Sequence, residues 1–378
     1  MRVGMIARLG SGALLPALLI AGCATTGTGT GTGTGTPGPA PEVAVPRPRY
    51  PATDIPAQAE TTPVGTGNAD AADDPAIWRN AANPAASLLL GTDKKAGLYV
   101  YGLDGQVRDF APAGALNNVD LREVPQADGS TRILVAASDR TDRAEPRIAL
   151  FGLDGQTGKL TSLGAESFLA PGHAAAEAYG FCMGAPLVAG ELARAYVVLK
   201  DGTVAESRLV EQGGRIAAQH LRDVKFATQS EGCVVDDVTR TLYVAEEDVA
   251  IWKVPLGAAT LAAKSYARVG EADGLVDDIE GLAIARQPGG RAFLVASSQG
   301  DNAYALFDLA TDKPAGRFRI DGGTLGGTSD TDGIEVILGD FGPAFPEGVF
   351  MAQDGDNAPN AQNFKLLSWR AIRTKLGL

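Results

Sequence analysis

Carboxylates recur along this chain in short clusters. They are Asp70-Ala-Ala-Asp-Asp-Pro-Ala-Ile-Trp78, Asn117-Asn-Val-Asp-Leu-Arg122, Glu231-Gly-Cys-Val-Val-Asp-Asp237, Asp277-Asp-Ile-Glu-Gly281 and Thr328-Ser-Asp-Thr-Asp-Gly333. Glu246-Glu-Asp248 and Gln353-Asp-Gly-Asp-Asn357 extend the set to seven. One acidic pair alone reads as a solvated turn, but seven in one chain call for another explanation. Carboxylates that converge in a low-dielectric mouth repel by several kcal/mol and need bound cations. Calcium suits them, because it accepts about six to eight oxygens in loose geometry, loop carbonyls included.

Bases are scarcer and better placed. Lys94-Lys95 falls in a loop between the apolar runs 88–91 and 98–101, Arg140 follows the run 133–138, and Lys200 ends the run 195–199. Each lies at the end of an expected strand, where a few cations beside metal-holding acids would form an anion cradle. The bland alternative for each is solvated surface charge.

The remaining chemistry is bounded by what the chain lacks. Its only histidines are His173 and His220, too few for a His-rich zinc site or a His/carboxylate two-metal hydrolase. Neither stands in an Arg-His-Gly context. Neither Cys182 nor Cys233 has the arginine six residues on that cysteine phosphatases need, since positions 188 and 239 are Val and Thr.

The 378 residues hold 33 bases and 45 acids, a net charge of -12. Residues 1–58 hold four bases and two acids, so the remaining 320 carry 29 bases and 43 acids, a net charge of -14. Such a surface does not suit nucleic acid and does suit cations.

The elements that must position these groups are short strands. Leu98-Tyr-Val-Tyr-Gly-Leu-Asp-Gly-Gln106 and Ala149-Leu-Phe-Gly-Leu-Asp-Gly-Gln156 are near copies 50 residues apart, and Val198-Leu-Lys-Asp-Gly202 falls about 47 further on. Each is an alternating apolar run closed by Asp-Gly, a hairpin signal. Further strands are expected at 132–138, 241–246, 291–297 and 349–353. A helical pattern appears only at 368–376, with Trp369, Ile372 and Leu376 on one face. A period near 50 residues with about four strands each is the mark of a β-propeller. The 320 residues then make an all-β, six-bladed propeller with four-stranded blades around a central channel. A pair of β-sandwiches would leave the repeat unexplained.

The N-terminus reads as an address. Arg2 and Arg8 precede the apolar stretch 12–22, too short to span a bilayer and suited to a secretory signal. It ends in Ile20-Ala21-Gly22-Cys23, which resembles a bacterial lipobox with Cys23 as the lipidated residue. Residues 23–58, with five Gly-Thr pairs and then many prolines, read as a flexible tether, leaving 59–378 as the folded domain. The expected place is beyond the inner membrane, lipid-anchored in the outer membrane or periplasm or at the cell surface, as a monomer.

Ten motifs in order from Asp70 to Trp369 carry a family resemblance over essentially the whole folded part. Ala-Asp-Asp-Pro-Ala-Ile-Trp, Lys-Lys-x-Gly-Leu, Leu-Asn-Asn-Val-Asp, Glu-x-Tyr-Gly-Phe and Glu-Gly-x-x-x-Asp-Asp resemble the β-propeller phytases, which are calcium-dependent 3-phytases. So do Ala-Glu-Glu-Asp-x-Ala-Ile-Trp-Lys, Asp-Ile-Glu-Gly-Leu, Ser-Ser-Gln-Gly, Thr-Ser-Asp-Thr-Asp-Gly and Ala-Gln-Asp-Gly-x-Asn. The resemblance implies sequential removal of phosphates from phytate (myo-inositol hexakisphosphate) with several calcium ions. A metal-activated water would attack phosphorus directly, without a phosphoenzyme. Phytate, calcium-phytate and lower inositol phosphates would be the ligands. By motif, Asp73, Asp74, Glu231, Glu247, Asp278, Glu280 and Asp332 would hold catalytic or substrate-bridging calcium. Asp354 and Asp356, with Asn118 and Val119 backbone oxygens, would serve structural calcium. Lys94, Lys95, Arg140, Lys200 and Tyr179 would bind phosphate.

One position departs from the family. An Asp that can precede Thr-Ser-Asp-Thr-Asp-Gly is replaced by Gly326, so one calcium is held less tightly or Asp321 or Asp330 reaches in. Cys182 and Cys233 fall at similar points of adjacent blades, either bridged or as two buried thiols. Two rival functions remain at this level: a non-catalytic, calcium-stabilised propeller that binds inositol phosphates or a protein, and a calcium lactonase with one central ion.

Overall fold

The computed structural model describes residues 50–67, 70–169 and 176–378. The leader, Cys23, tether residues 23–49 and His173 lie outside the described residues. The described chain forms six sheets, four built from four consecutive antiparallel strands and two from consecutive antiparallel strands joined by a short N-terminal strand. The innermost strands are Ala72–Trp78, Leu116–Pro125, Ala178–Gly184, Ser230–Asp236, Ile279–Arg286 and Ile334–Leu338. Each packs on the next, and Ile334–Leu338 packs back on Ala72–Trp78. The six-bladed propeller expected from the repeat is the fold.

Burial explains the ring. One blade has two apolar faces and cannot cover either alone. The core accordingly divides into six clusters, one at each junction between neighbouring blades. Leu90 and Val100 of the first blade meet Val135 and Phe151 of the second, for example. The helix Trp369–Leu376 buries Trp369 and Ile372 against the last two blades and stops at Gly377, whose φ of 70° is left-handed.

Two expectations need correction. The folded domain starts before residue 59. Thr53–Ile55 adds to the outermost strand Lys313–Ile320 in parallel, and Ile55 is buried in the last junction. Ala59–Glu60 then supplies the fourth strand of the sixth blade by pairing with Asn363–Ser368, which closes the ring with the two ends of the chain. An open sheet edge has unpaired amides, and covering two such edges draws the last tether residues into the domain.

The phase of the repeat also differs for its third copy. The turns at Asp104 and Asp154 join third to fourth strands, whereas Asp201 joins second to third. In all three, the Asp Oδ1 accepts the N–H two residues on, at 3.1, 2.8 and 2.9 Å. The Asp-Gly signal reports a tight turn and not its place in the blade.

Cys182 and Cys233 are joined by a disulfide between the innermost strands of the third and fourth blades. They are 51 residues apart, which gives a loop-closure contribution of about 4 kcal/mol.

Candidate active site

One irregularity, repeated round the ring, builds the site. In five innermost strands the pairing with the second strand slips at the same point: Ala72/Pro75, Leu116/Val119, Ala178/Phe181, Ser230/Cys233 and Ile279/Leu282. The residues inside the slips are Asp73-Asp74, Asn117-Asn118, Tyr179-Gly180, Glu231-Gly232 and Glu280-Gly281. In the sixth blade, Asp332-Gly333 stands just before the strand Ile334–Leu338. A bulge breaks the in–out alternation and re-aims a side chain. Here the first residue of each pair is presented at the channel mouth. Glycine follows in four blades because the next blade is too close for a side chain. A Cβ on Gly180 would lie 1.9 Å from the Glu231 carbonyl oxygen, and one on Gly232 2.0 Å from that of Glu280.

A second ring comes from the residues that follow the second strands. Lys94 follows Leu88–Asp93, Arg140 follows Thr131–Asp139, and Lys200 follows Glu191–Leu199. Glu247 follows Thr241–Glu246, and Gln299 follows Ala292–Ser298. The bases singled out in the sequence thus occupy equivalent places in the first three blades.

The acids converge. Single carboxylate oxygens of Glu231, Glu247 and Glu280, all buried, lie within 4.8 Å of one another. Asn117 Nδ2 donates to Glu231 Oε1 at 2.7 Å, and Gln229 Nε2 to Glu247 Oε2 at 2.8 Å. Lys94 Nζ sits 2.7 Å from Asp70, 2.9 Å from Asp73 and 2.8 Å from Asp332. Gln299 Nε2 donates to the other Asp332 oxygen at 2.7 Å. Opposite this group, the Tyr179 ring carries Lys200 Nζ at 4.7 Å and the Arg140 guanidinium at 5.9 Å from its centroid. Glu177 holds Arg140 at 3.0 Å and Arg143 at 3.5 Å.

This packing penalises negative charge. Burial, then the neighbouring acids, pushes the Glu231 and Glu280 carboxyls well above the usual range. Burial raises Glu247 to about 7, against the Gln229 hydrogen bond, and Asp332 to about 8, against Lys94. Asp278, with its φ at 70°, is raised by burial and by Asp248. Burial and the carboxylates of Glu231 and Glu280 raise the Tyr179 hydroxyl, which stays protonated. Asp73 Oδ2, Glu247 Oε1 and Glu280 Oε2 are buried without a partner. Hard oxygen ligands, mutual repulsion and orphaned acceptors together fit a divalent cation of the calcium type.

Other sequence-selected residues lie elsewhere. Asp74 turns down the channel, where its Oδ2 accepts the Val119 N–H at 2.9 Å. Asp74, Asn118, Val119 and Glu335 line a cavity of about 30 Å³ there, with room for about one water-sized guest. Asp354 and Asp356 stand apart from it on the sixth blade. Asp354 Oδ1 accepts the Ser329 N–H at 3.3 Å, and its Oδ2 faces the buried Lys365 at 3.4 Å. Lys95 is exposed beside Lys94. Near Gly326, Asp321 is drawn to Arg319 at 3.0 Å, whereas Asp330 acts electrostatically on Asp278. Sequence reasoning missed Asn117, Gln229, Gln299 and Glu335. Asn117 was visible in principle, because it fills the blade-two place that Asp73, Glu231 and Glu280 fill elsewhere.

Fold and site together define a six-bladed propeller with an acid-lined, base-flanked cleft at one mouth of its channel. The chain belongs to the phytase family, whose model, described as Phytase, matches residues 46–378. It is similar to a 3-phytase of Bacillus subtilis (strain 168), 40% identical over 334 residues that cover 85% of each chain. A solved structure described as a mitotic checkpoint complex aligns over 85% of each chain at 11% identity with a TM-score of 0.44, too remote to carry an argument.

Proposed function

We propose that this protein is a calcium-dependent phytase that releases phosphates one after another from phytate, by direct attack of water on phosphorus. Membership of the phytase family makes phytate its substrate and phosphomonoester hydrolysis its reaction. The calcium reading rests on one observation, the convergence of Glu231, Glu247 and Glu280 with orphaned buried oxygens beside them. With Asp73, Asp278 and Asp332 they would hold the ions. Calcium bound there supplies charge that neutralises the carboxylates, draws in phosphate oxygens and acidifies water.

The chain's own groups do the rest. Arg140, Lys200 and the protonated Tyr179 hydroxyl bind phosphate on one side of the acids, and Lys94 with Lys95 on the other. The two sides let adjacent phosphates of one ring be held together, one over the acids and one beside them. Among the described residues the mouth has no histidine and no free thiol, so a phosphoenzyme has no such carrier there.

Phosphate release from phytate should fall to background with EDTA and return with calcium. Full activity in excess chelator would sink the calcium reading. Parallel assays on p-nitrophenyl phosphate and a lactone separate the rival hydrolase, and chelator-sensitive melting without phosphate release would mark a binding module.

The anchored location is supported by the leader and Cys23 of the sequence alone. Cys23→Ser should move the protein from the membrane to the soluble fraction of expressing cells, as an active monomer by gel filtration. Membrane retention of that variant would refute lipidation at this residue.

A further inference from the structure

Lys94 is placed oddly for a residue whose only task is to grip phosphate. Its side chain is 8% exposed, while the neighbouring Lys95 is open to solvent. An ammonium group has three N–H donors. Those of Lys94 face three carboxylates, of Asp70, Asp73 and Asp332, at 2.7 to 2.9 Å. No donor remains for a phosphate until one of these contacts is given up. Two of the partners, Asp73 and Asp332, are also among the acids that fit a cation. Each keeps one oxygen off the lysine: Asp73 Oδ2 is buried without a partner, and Asp332 Oδ1 is held by Gln299.

We propose that Lys94 is a tethered counter-ion that occupies a calcium position in the metal-free protein, competes with calcium for Asp73 and Asp332, and becomes available to substrate phosphate when calcium displaces it. The inference rests on the calcium reading above. Its physical basis is that a buried acid, Asp73, and a partly buried one, Asp332, at 2.9 and 2.8 Å from one amine are intolerable without positive charge among them. The ammonium supplies one unit of that charge, and a divalent ion supplies two. A lysine on a four-carbon stem can move a few ångströms without moving the strand end that carries it. Linkage then makes the effect reciprocal: calcium improves phosphate binding at Lys94, and phosphate improves retention of calcium.

The test is a calcium titration by isothermal calorimetry on wild type, Lys94→Met and Lys94→Arg, with circular dichroism to check the fold. Lys94→Met keeps the stem and removes the charge. One calcium should bind it roughly tenfold or more tighter than wild type, because the internal competitor is gone. Lys94→Arg should stay near wild type. In the presence of calcium, inorganic phosphate should bind Lys94→Met more weakly than wild type. Calcium affinity in Lys94→Met equal to or below that of wild type overturns the proposal. If wild type itself binds no calcium, the calcium reading fails with it; if wild type binds and the variants match it, only the counter-ion role fails. Should Lys94→Met not fold, amine labelling of the wild-type protein followed by mass spectrometry decides. Labelling at Lys94 should rise with calcium, and labelling unchanged by calcium overturns the proposal.

Discussion

Glu231→Gln should lower phytate turnover by roughly 10²- to 10³-fold while the fold stays intact. Glu231 is 2% exposed, keeps Asn117 on one oxygen and lies among Glu247 and Glu280. Glutamine preserves the volume but replaces an anionic ligand with a neutral amide, so the variant should also bind calcium more weakly. The stability of the calcium-free protein should move the other way. Burial and the Asp73 and Asp332 charges disfavour the Glu231 carboxylate, so removing its charge relieves repulsion and raises the melting temperature. A residue that merely supports the fold would do the opposite and melt lower. Phosphate release, calorimetric calcium binding and thermal melting in EDTA measure the three effects. Turnover at the wild-type level would remove Glu231 from the catalytic set.

Without calcium, the protein should lose several kcal/mol of stability between about pH 5 and 8. The sign follows from acids whose folded pKa lies above the unfolded one. Their protonated form is the one the fold accepts, so stability is present below the unfolded value and is lost as pH rises through the folded value. Burial sets Glu247 to about 7 and Asp332 to about 8, and burial with Asp120 sets Glu335 to about 8. Glu231 and Glu280 are shifted in the same direction. Saturating calcium should flatten or reverse the trend, because it stabilises the ionised carboxylates and is released on unfolding. Calorimetric scans in EDTA and in calcium from pH 5 to 8.5 test this. A calcium-free melting temperature that climbs across that range would contradict the packing of these acids.

Much of the site was legible because its chemistry is carried by residue type. The clusters around Asp73, Glu231, Glu280 and Asp332 and the bases Lys94, Arg140 and Lys200 stand out in any acidic chain with two histidines. Their recurrence at strand ends pointed to one mouth of a ring. What stayed hidden was set by partners far away in sequence. Asp73 and Asp74 are adjacent and chemically identical, yet one meets Lys94 and the other caps Val119. A bulge against Leu88–Asp93 separates them, and a bulge belongs to a pair of strands. Asn117 looks like a turn asparagine until the same slip places it on Glu231, 114 residues away.

The sequence alone determined the class of fold, the number of blades and the supply of ligands, because periodicity, Asp-Gly turns and side-chain chemistry are local properties. Only the tertiary structure decided where the ring closes, with 53–55 drawn out of the expected tether onto the fifth blade and 59–60 completing the sixth. It also decided which carboxylates share a cation-sized space and which amine stands among them. Those are distances between strands of different blades, and they exist only once six cores have packed the blades into a ring.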